Sequence, residues 1–439
     1  MASLHAHQAV RSVRRILHHL KTKFRRARKN GPQQMLLLLL TVVHSGAQRL
    51  GLGTARQRVI LRLGSHLGWQ PHAEPSVSSI CRALHKLLPA DLESVIRVGL
   101  TEVAGIHGTG LLLAHRRVVA IDGMRLNTRR TAALARRCGL PKQADGTPVH
   151  QPQALLVVAR CVRSGVVLAQ EIARHNGSER AAAKRLLKRL EEHGRLLVLL
   201  DRGFPARDLI GLLHERRIDF IVRMCGGQSA WRELVPHATG SAKDASVELR
   251  LLLGNGRWST VGMRAILSEK AERGRPRCNR TPKRMLLLTS LRGVGWKTQR
   301  VIDLYLRRWD IEISFREDKR LLGIVRTRAT TWNTFQNELA AIQIYRILIA
   351  ILLATIAPHL DVGPWHEQRR RPSFTRLVEV AEEVLIQCLL APQRAAEIID
   401  QHAADIARHA EKYRRGRIAP RSCLGVEGAW KLKQHRRAG

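Results

Sequence analysis

The run Y-L-R-R-W-D-I-E-I-S-F-R-E-D-K, Tyr305 to Lys319, sets one acid, Glu312, among a phenol and several cations at helical spacing. At 3.6 residues per turn, Tyr305, Arg308, Glu312, Arg316 and Lys319 fall within an arc of roughly 80°. Ile302, Leu306, Trp309 and Ile313 form an adjacent apolar stripe. The spacing predicts one helix with an edge docked on a core and an edge facing a ligand. The plainer reading makes Glu312 a solvated acid paired with Arg308 or Arg316 at i,i+4, worth a few tenths of a kcal/mol. Asp310, Glu317 and Asp318 are nearby competitors for a ligand role.

The spacing Y-x2-R-x3-E-x6-K, complete here at Tyr305, Arg308, Glu312 and Lys319, resembles the signature of the DDE transposases of bacterial insertion sequences, in the group founded by insertion sequence four. That resemblance implies two upstream aspartates at strand ends. Asp122 follows Val118-Val119-Ala120-Ile121, and Asp201 follows Leu196-Leu197-Val198-Leu199-Leu200 in the family-like string D-R-G-F. Taken singly, an Asp after a strand is most often a turn former or a helix cap. Together, Asp122, Asp201 and Glu312 are the expected catalytic and metal-binding acids. Carboxylates suit hard cations, so Mg2+ or Mn2+ is implied, with two ions in the site. Tyr305, Arg308 and Lys319 are the expected DNA phosphate-binding groups.

Working outward, the pattern from Val118 is β-rich. Candidate strands are Val118–Asp122, Ala154–Val162 and Val166–Glu171, the last two joined across Arg163-Ser164-Gly165. Asn176-Gly177-Ser178-Glu179 has the capping-box form before a helix carrying Ala181, Leu186, Leu187 and Leu190. Strand Leu196–Leu200, helix Ala206–Arg217 and strand Phe220–Met224 come next. Three strands, a helix, a strand, a helix and a strand give an α/β fold of ribonuclease H-like order. Between Met224 and about Arg300, the runs Val247–Leu253, Trp258–Leu267 and Met285–Leu291 indicate a β-rich insertion at 225–300. Trp231, Trp258 and Trp296 either stack on an extruded base there or pack in a core, the second being the better reading for each.

Helical regions flank this core. Residues 1–115 read as a basic, helical DNA-end-binding region that begins with Arg11 to Lys29. Ser76–Leu84 fits either a recognition helix or a capped packing helix. Residues 116–358 form the expected catalytic domain, its last helix opening at Asn337-Glu338-Leu339 and stopping at Pro358. In 359–439, a basic linker (361–372) leads to a helical stretch from Ser373 to about Tyr413 and a flexible tail.

The 439 residues carry a formal net charge of +41, and no acid precedes Glu74. Such a field favours polyanions through counterion release, RNA as well as DNA. With aromatic residues at 4%, binding dominated by base stacking is disfavoured and duplex DNA preferred. The seven cysteines are scattered singly, without zinc-type spacing, as in a reduced cytosolic protein. Met35–Leu40 and Ile347–Ala357 are too short to span a bilayer, so no membrane partner is expected. The acid-free start resembles a transit peptide, but the basic bias continues along the chain, and the expected location is the bacterial cytoplasm, at the nucleoid when DNA-bound.

The resemblance thus implies a transposase that cleaves element ends and transfers strands in cut-and-paste fashion. Its partners would be the terminal inverted repeats and target DNA, with a homodimer in the synaptic complex. A structure-specific nuclease of the same fold and an inactive, DNA-binding derivative are the alternatives.

Overall fold

The structure, a computed structural model, describes residues 3–23, 39–43, 52–63, 76–142, 146–147, 149–224, 234, 244–268, 285–325, 327–356 and 370–412. The chain divides into two compact units. One comprises Met1–Leu199 with Asp310–Glu411, the other Leu200–Trp309 with Lys412–Gly439.

In the first unit a short strand β1 (Leu112–Leu113) leads to β2 (Arg116–Asn127), β3 (Gln153–Cys161), β4 (Val167–Arg174) and β5 (Leu196–Leu200). The order is β4-β3-β2-β5, with β1 on β2. β2, β3 and β4 form an antiparallel meander. The helix Glu179–Arg189 then returns the chain so that β5 lies beside β2. A three-strand meander, a helix and a strand beside the first strand is the ribonuclease H-like α/β arrangement foreseen from the sequence. The run Leu196–Leu200 is wholly buried, as a strand covered on both faces must be. One boundary moves: Asp122 does not close its strand but sits within β2, opposite Val158, and pairing continues to Asn127. The helix before β5 is capped by Ser178, whose side chain accepts from the Ala181 amide, rather than by Asn176. Its buried face is Ala182, Ala183, Leu186 and Leu187, with Ala181 exposed.

The core of this unit is the helix Trp332–Ile356, which begins five residues before the Asn337 opening read from the sequence. Thr331 starts it: the Thr334 amide donates to Thr331 Oγ1 and the Thr331 amide to Thr334 Oγ1, a reciprocal cap. This helix is long and apolar enough to cross a membrane, yet 94% of its most apolar stretch is buried inside the protein. Helices Leu4–Lys23, Val77–Lys86, Pro89–His107, Phe374–Leu390 and Pro392–Arg408 pack around it. Each Leu or Ile so buried contributes about 1.5–3 kcal/mol. Gly99 permits a close crossing, since a Cβ there would lie 2.7 Å from Ile347 Cγ2. Helices from both flanks of the sequence therefore pack on one core helix. Ser76 caps the Val77–Lys86 helix through the Ser79 amide, and Asn337 Nδ2 donates to the Leu87 carbonyl just beyond it. Packing is thus one role of that helix.

Glu338 is 5% exposed and accepts the Arg328 amide at 2.7 Å, which anchors the segment before the core helix. Burial pushes its carboxyl up to about 7, against the backbone donors and the arginines beside it.

The second unit contains helix Arg207–Glu215 and strands β6 (Asp219–Arg223), β7 (Asp244–Leu252), β8 (Trp258–Ser268) and β9 (Met285–Thr289). Their order is β6-β9-β8-β7, each neighbouring pair antiparallel. The three strands foreseen in the insertion all exist, and they extend the ladder that starts at β6. In β7, buried Val247, Leu249 and Leu251 alternate with exposed Glu248 and Arg250, the period-2 signature of a sheet with one dry face. Arg264 of β8 donates from Nε to Asp244 at 2.8 Å and also reaches Thr298 at the start of helix Thr298–Leu306. Trp231, the linker 361–369 and the tail beyond Lys412 lie outside the described residues, as do Met35–Leu38, Cys225, Cys278 and Cys423.

Gly211 carries helix Arg207–Glu215 directly against β7: a Cβ there would lie 2.1 Å from the Leu252 carbonyl oxygen. Gly211→Ala must push backbone apart and should cost about 1–3 kcal/mol. Gly295→Ala, with nothing within 4 Å of the added carbon, should leave the urea midpoint unchanged.

Glu338 yields a pH signature. In the unfolded chain this carboxyl ionises near 4.5, whereas the folded protein holds its proton to about 7. Its contribution is therefore full below 4.5 and is lost as pH rises through about 7, at roughly 1.4 kcal/mol per pH unit between the two values. Urea unfolding of Glu338→Gln at a series of pH values should show the variant gaining on the wild type from pH 5 to 7.5. A constant difference would refute the assignment.

Candidate functional site

Three of the six residues singled out in the sequence meet in the second unit. Asp201 follows the last residue of β5, and its carbonyl accepts the Phe204 amide at 3.0 Å. Phe204 is fully buried, so the D-R-G-F string is a tight turn nailed down by its aromatic residue. The Asp201 side chain keeps 31% exposure, and Arg202 is exposed. Tyr305 Oη donates to Asp201 Oδ1 at 3.5 Å, and Arg308 Nη2 stands 3.9 Å from the same oxygen. The Arg308 guanidinium is also 6.0 Å from the ring centroids of Tyr305 and Trp309.

Tyr305 is 4% exposed. Burial, reinforced by the Asp201 charge, pushes its phenol well above the usual range, with Arg308 and Arg223 opposing. It is therefore a fixed hydrogen-bond donor, never a phenolate, at physiological pH.

The single helix expected from Tyr305 to Lys319 is broken. Helix Thr298–Leu306 ends where the Arg307 amide donates to Leu304 O and the Arg308 amide to Tyr305 O, both three residues back, and a second helix runs Trp309–Arg320. The 80° arc thus does not join Tyr305 and Arg308 to Glu312 and Lys319. The apolar stripe is also displaced: Leu306 is 38% exposed and Trp309 and Ile313 are not part of a common docked face, while Ile311, Ser314, Phe315 and Asp318 are the buried face of the second helix. Arg307 and Arg308 are both buried, at 5% and 6%.

Glu312 and Lys319 do share a face of the second helix, seven residues and about 20° apart. Both are half-buried. Together with Asp122 they belong to the first unit, where Asp122 Oδ1 accepts the Gly123 amide at 2.8 Å.

Two of the three competing acids have other occupations. Asp318 is 2% exposed and ion-paired to Arg160 and, at 2.6 Å, to Arg346; Glu317 pairs with Arg346 at 2.8 Å. Arg160 and Arg346 are not marked by any motif, although each is a lone cation in an apolar run, Leu155–Cys161 and Ala340–Ile356. Such a residue announces a buried partner but not which one.

Carboxylate oxygens suit a hard divalent cation, so the donor types of Asp122, Asp201 and Glu312 fit Mg2+ or Mn2+. Among the described residues, no group of three or more His, Cys, Asp or Glu side chains is gathered as a metal cage. The three acids belong to different units, two to the first and one to the second. Of the tryptophans, Trp296 is buried with Arg300 against its ring, whereas Trp258 is 51% exposed with Arg250 5.5 Å from its centroid. Core packing describes the first and not the second.

Residues 113–348, more than half of the chain, match the family model described as transposase DDE domain. No curated protein sequence matches the chain. Among solved structures, a cryo-EM structure of the piggyBac transposase synaptic complex with hairpin DNA is similar at 10% identity, over 93% of this chain and 84% of that one, with a TM-score of 0.45.

The Tyr305 environment is testable without a substrate. Of the three tyrosines, Tyr305 and Tyr345 both have phenols raised by burial. In a spectrophotometric titration of the folded protein, Tyr305→Phe should leave the phenolate signal near pH 10 unchanged. In guanidinium chloride the same substitution should remove one third of it.

Proposed function

The chain belongs to the transposase DDE domain family, and from that premise we propose that it cleaves DNA at the ends of a mobile element and joins the freed 3′ ends to target DNA. The complete Y-x2-R-x3-E-x6-K spacing favours the insertion-sequence-four group within that family. The observation that carries the reading is the convergence of Tyr305 and Arg308 on Asp201, which sets a neutral donor and a cation beside a strand-end carboxylate.

Asp122, Asp201 and Glu312 would hold divalent ions, which when bound supply an activated water and charge for the leaving oxygen. The chain's own residues supply the rest. Arg308, buried against two rings, can donate to a phosphate with little further loss of entropy, because its rotamer is already held. Lys319 offers a mobile point charge two helical turns from Glu312. The net charge of +41 gives sequence-independent duplex affinity, through which the protein would find element ends. Synapsis of two ends calls for two copies, and the reaction would take place at the bacterial nucleoid.

The test uses a supercoiled plasmid carrying the DNA that flanks the coding region. The purified chain should nick it with Mg2+ or Mn2+ and not with EDTA. Asp122→Ala, Asp201→Ala and Glu312→Ala should each stop nicking and leave plasmid binding intact. Lys319→Ala should slow single-turnover nicking by the equivalent of about 2–4 kcal/mol. Lys188→Ala, which changes an exposed surface cation, should match the wild type. Undiminished nicking by a folded variant of any acid would remove that acid from the site.

A further inference from the structure

We propose that Asp318, held between Arg160 and Arg346, is a positioning residue that fixes the rotation and axial setting of helix Trp309–Arg320, and through it the placement of Glu312 and Lys319. The proposal rests on the reading of Glu312 as a group of the cleavage site.

Four charges are clustered in the first unit, the buried Arg160, Arg346 and Asp318 and the half-buried Glu317. Asp318 takes Arg160 on Oδ2 and Arg346 on Oδ1, so both of its oxygens are engaged by cations from separate elements, β3 and the core helix. Glu317 holds Arg346 Nη2. Both arginines also donate to one carbonyl, Gly165 O, Arg160 from Nη1 at 2.6 Å and Arg346 from Nε at 2.9 Å. Gly165 has φ +72° in the turn between β3 and β4, a conformation that favours glycine, and an added Cβ would stand 3.3 Å from Arg346 Nη2. Ring faces cover the guanidiniums: Phe315 lies 5.8 Å from Arg160 and Phe374 lies 4.5 Å from Arg346.

The geometry reaches Glu312 only through the helix. Six residues separate it from Asp318, about 9 Å along the axis and roughly 120° around it. The rest of the docked face, Ile311, Ser314 and Phe315, is held mostly by apolar contact, which is non-directional and resists separation more than sliding or rotation. A carboxylate fixed on both oxygens has one acceptable position, and register is the best-attested use of a buried polar group. At the helix end, the Ile324 amide closes on the Asp318 carbonyl at 3.0 Å, so the same residue also sets where the chain leaves the helix.

The experiment compares Asp318→Asn, Glu317→Gln and the double variant Arg160→Met with Asp318→Leu. It measures single-turnover nicking of the flanking-DNA plasmid at saturating protein, plasmid Kd, Tm and hydrogen exchange of peptide 309–320. Asp318→Asn should nick about a hundredfold more slowly with a Kd within about twofold of wild type. The double variant removes a cation and an anion together and should regain most of the Tm without regaining the rate. Faster exchange should be confined to 309–320. Glu317→Gln, which keeps both Asp318 pairs, should fold and slow nicking several-fold. Wild-type rates in Asp318→Asn or in the double variant, or loss of protection spread equally over 153–174 and 332–356, would reduce the cluster to a general stabiliser. If the Asp318 variants do not fold, Glu317→Gln decides, and an unchanged rate overturns the proposal. Failure of the unaltered chain to nick defeats the cleavage reading and the proposal with it; full nicking by Glu312→Ala removes Glu312 from the site and so overturns the proposal; an inactive Glu312→Ala beside a fully active Asp318→Asn defeats the proposal alone.

Discussion

Two guanidiniums and a carboxylate, Arg160, Arg346 and Asp318, lie buried in the first unit with Glu317 half-buried beside them, and that burial constrains everything packed around them. Removing each ion from water costs several kcal/mol, recovered only when partners meet at hydrogen-bond distance with their remaining polar atoms satisfied. Arg160, Glu317, Asp318 and Arg346 approach that condition by drawing in the Gly165 carbonyl and two phenylalanine rings. Burial lowers the Arg160 pKa, but only to about 10, and at Arg346 the opposing charges of Asp318 and Glu317 outweigh burial and raise it. Both cations therefore stay charged at neutral pH. Strand β3, its turn into β4, the helix of Glu312 and the core helix have one mutual register in which this holds.

The same unit answers a second demand, to build a dry core in a chain of strongly positive charge. It does so around Trp332–Ile356, whose only cation, Arg346, belongs to the ionic cluster. Helix Leu4–Lys23 buries Ala9, Val13, Ile16 and Leu17, and leaves Arg11, Arg14 and Arg15 at the surface. Glu102 joins it to the Pro89–His107 helix, accepting from Ser12 at 2.6 Å and from Arg15 at 3.3 Å. Charge on this helix is thus kept on the outer face, where it can serve a polyanion, while the core helix admits a cation only where acids neutralise it.

In the second unit the break at Arg307–Arg308 has a geometric consequence. A guanidinium on a continuous helix would project from its surface, whereas here Arg308 is folded in between Tyr305 and Trp309 and faces Asp201. Its low exposure strengthens its field at the carboxylate, since screening by water is reduced. Tyr305 contributes a neutral donor whose proton burial secures. A neutral donor and a fixed cation thus hold one oxygen of the Asp201 carboxylate in place.

Local patterns make much of this legible in the amino-acid sequence. Leu196–Leu200 is an uninterrupted apolar run of strand length and is a strand; β3, β4, β7, β8 and β9 fall within a few residues of their expected bounds. The Y-x2-R-x3-E-x6-K spacing and the positive charge likewise need no coordinates, and the spacing points to the transposase DDE domain family that residues 113–348 match. Asp122 looks like a strand end because the next residues, Gly-Met-Arg-Leu-Asn, alternate weakly, and only pairing with β3 holds them extended. The docked face of the Glu312 helix is hidden for a related reason. By polarity alone Leu306 and Ile313 belong inside and Arg308, Ser314 and Asp318 outside, but Asp318 is satisfied by a partner 158 residues away, and no local pattern encodes that pairing. Sequence by itself determined which elements form and which family the chain belongs to, because helical and strand periodicity and motif spacing act over a few residues. Tertiary structure decided which face of each element is inside and which acids are buried in ion pairs, because desolvation is settled by neighbours that meet only when the chain has folded.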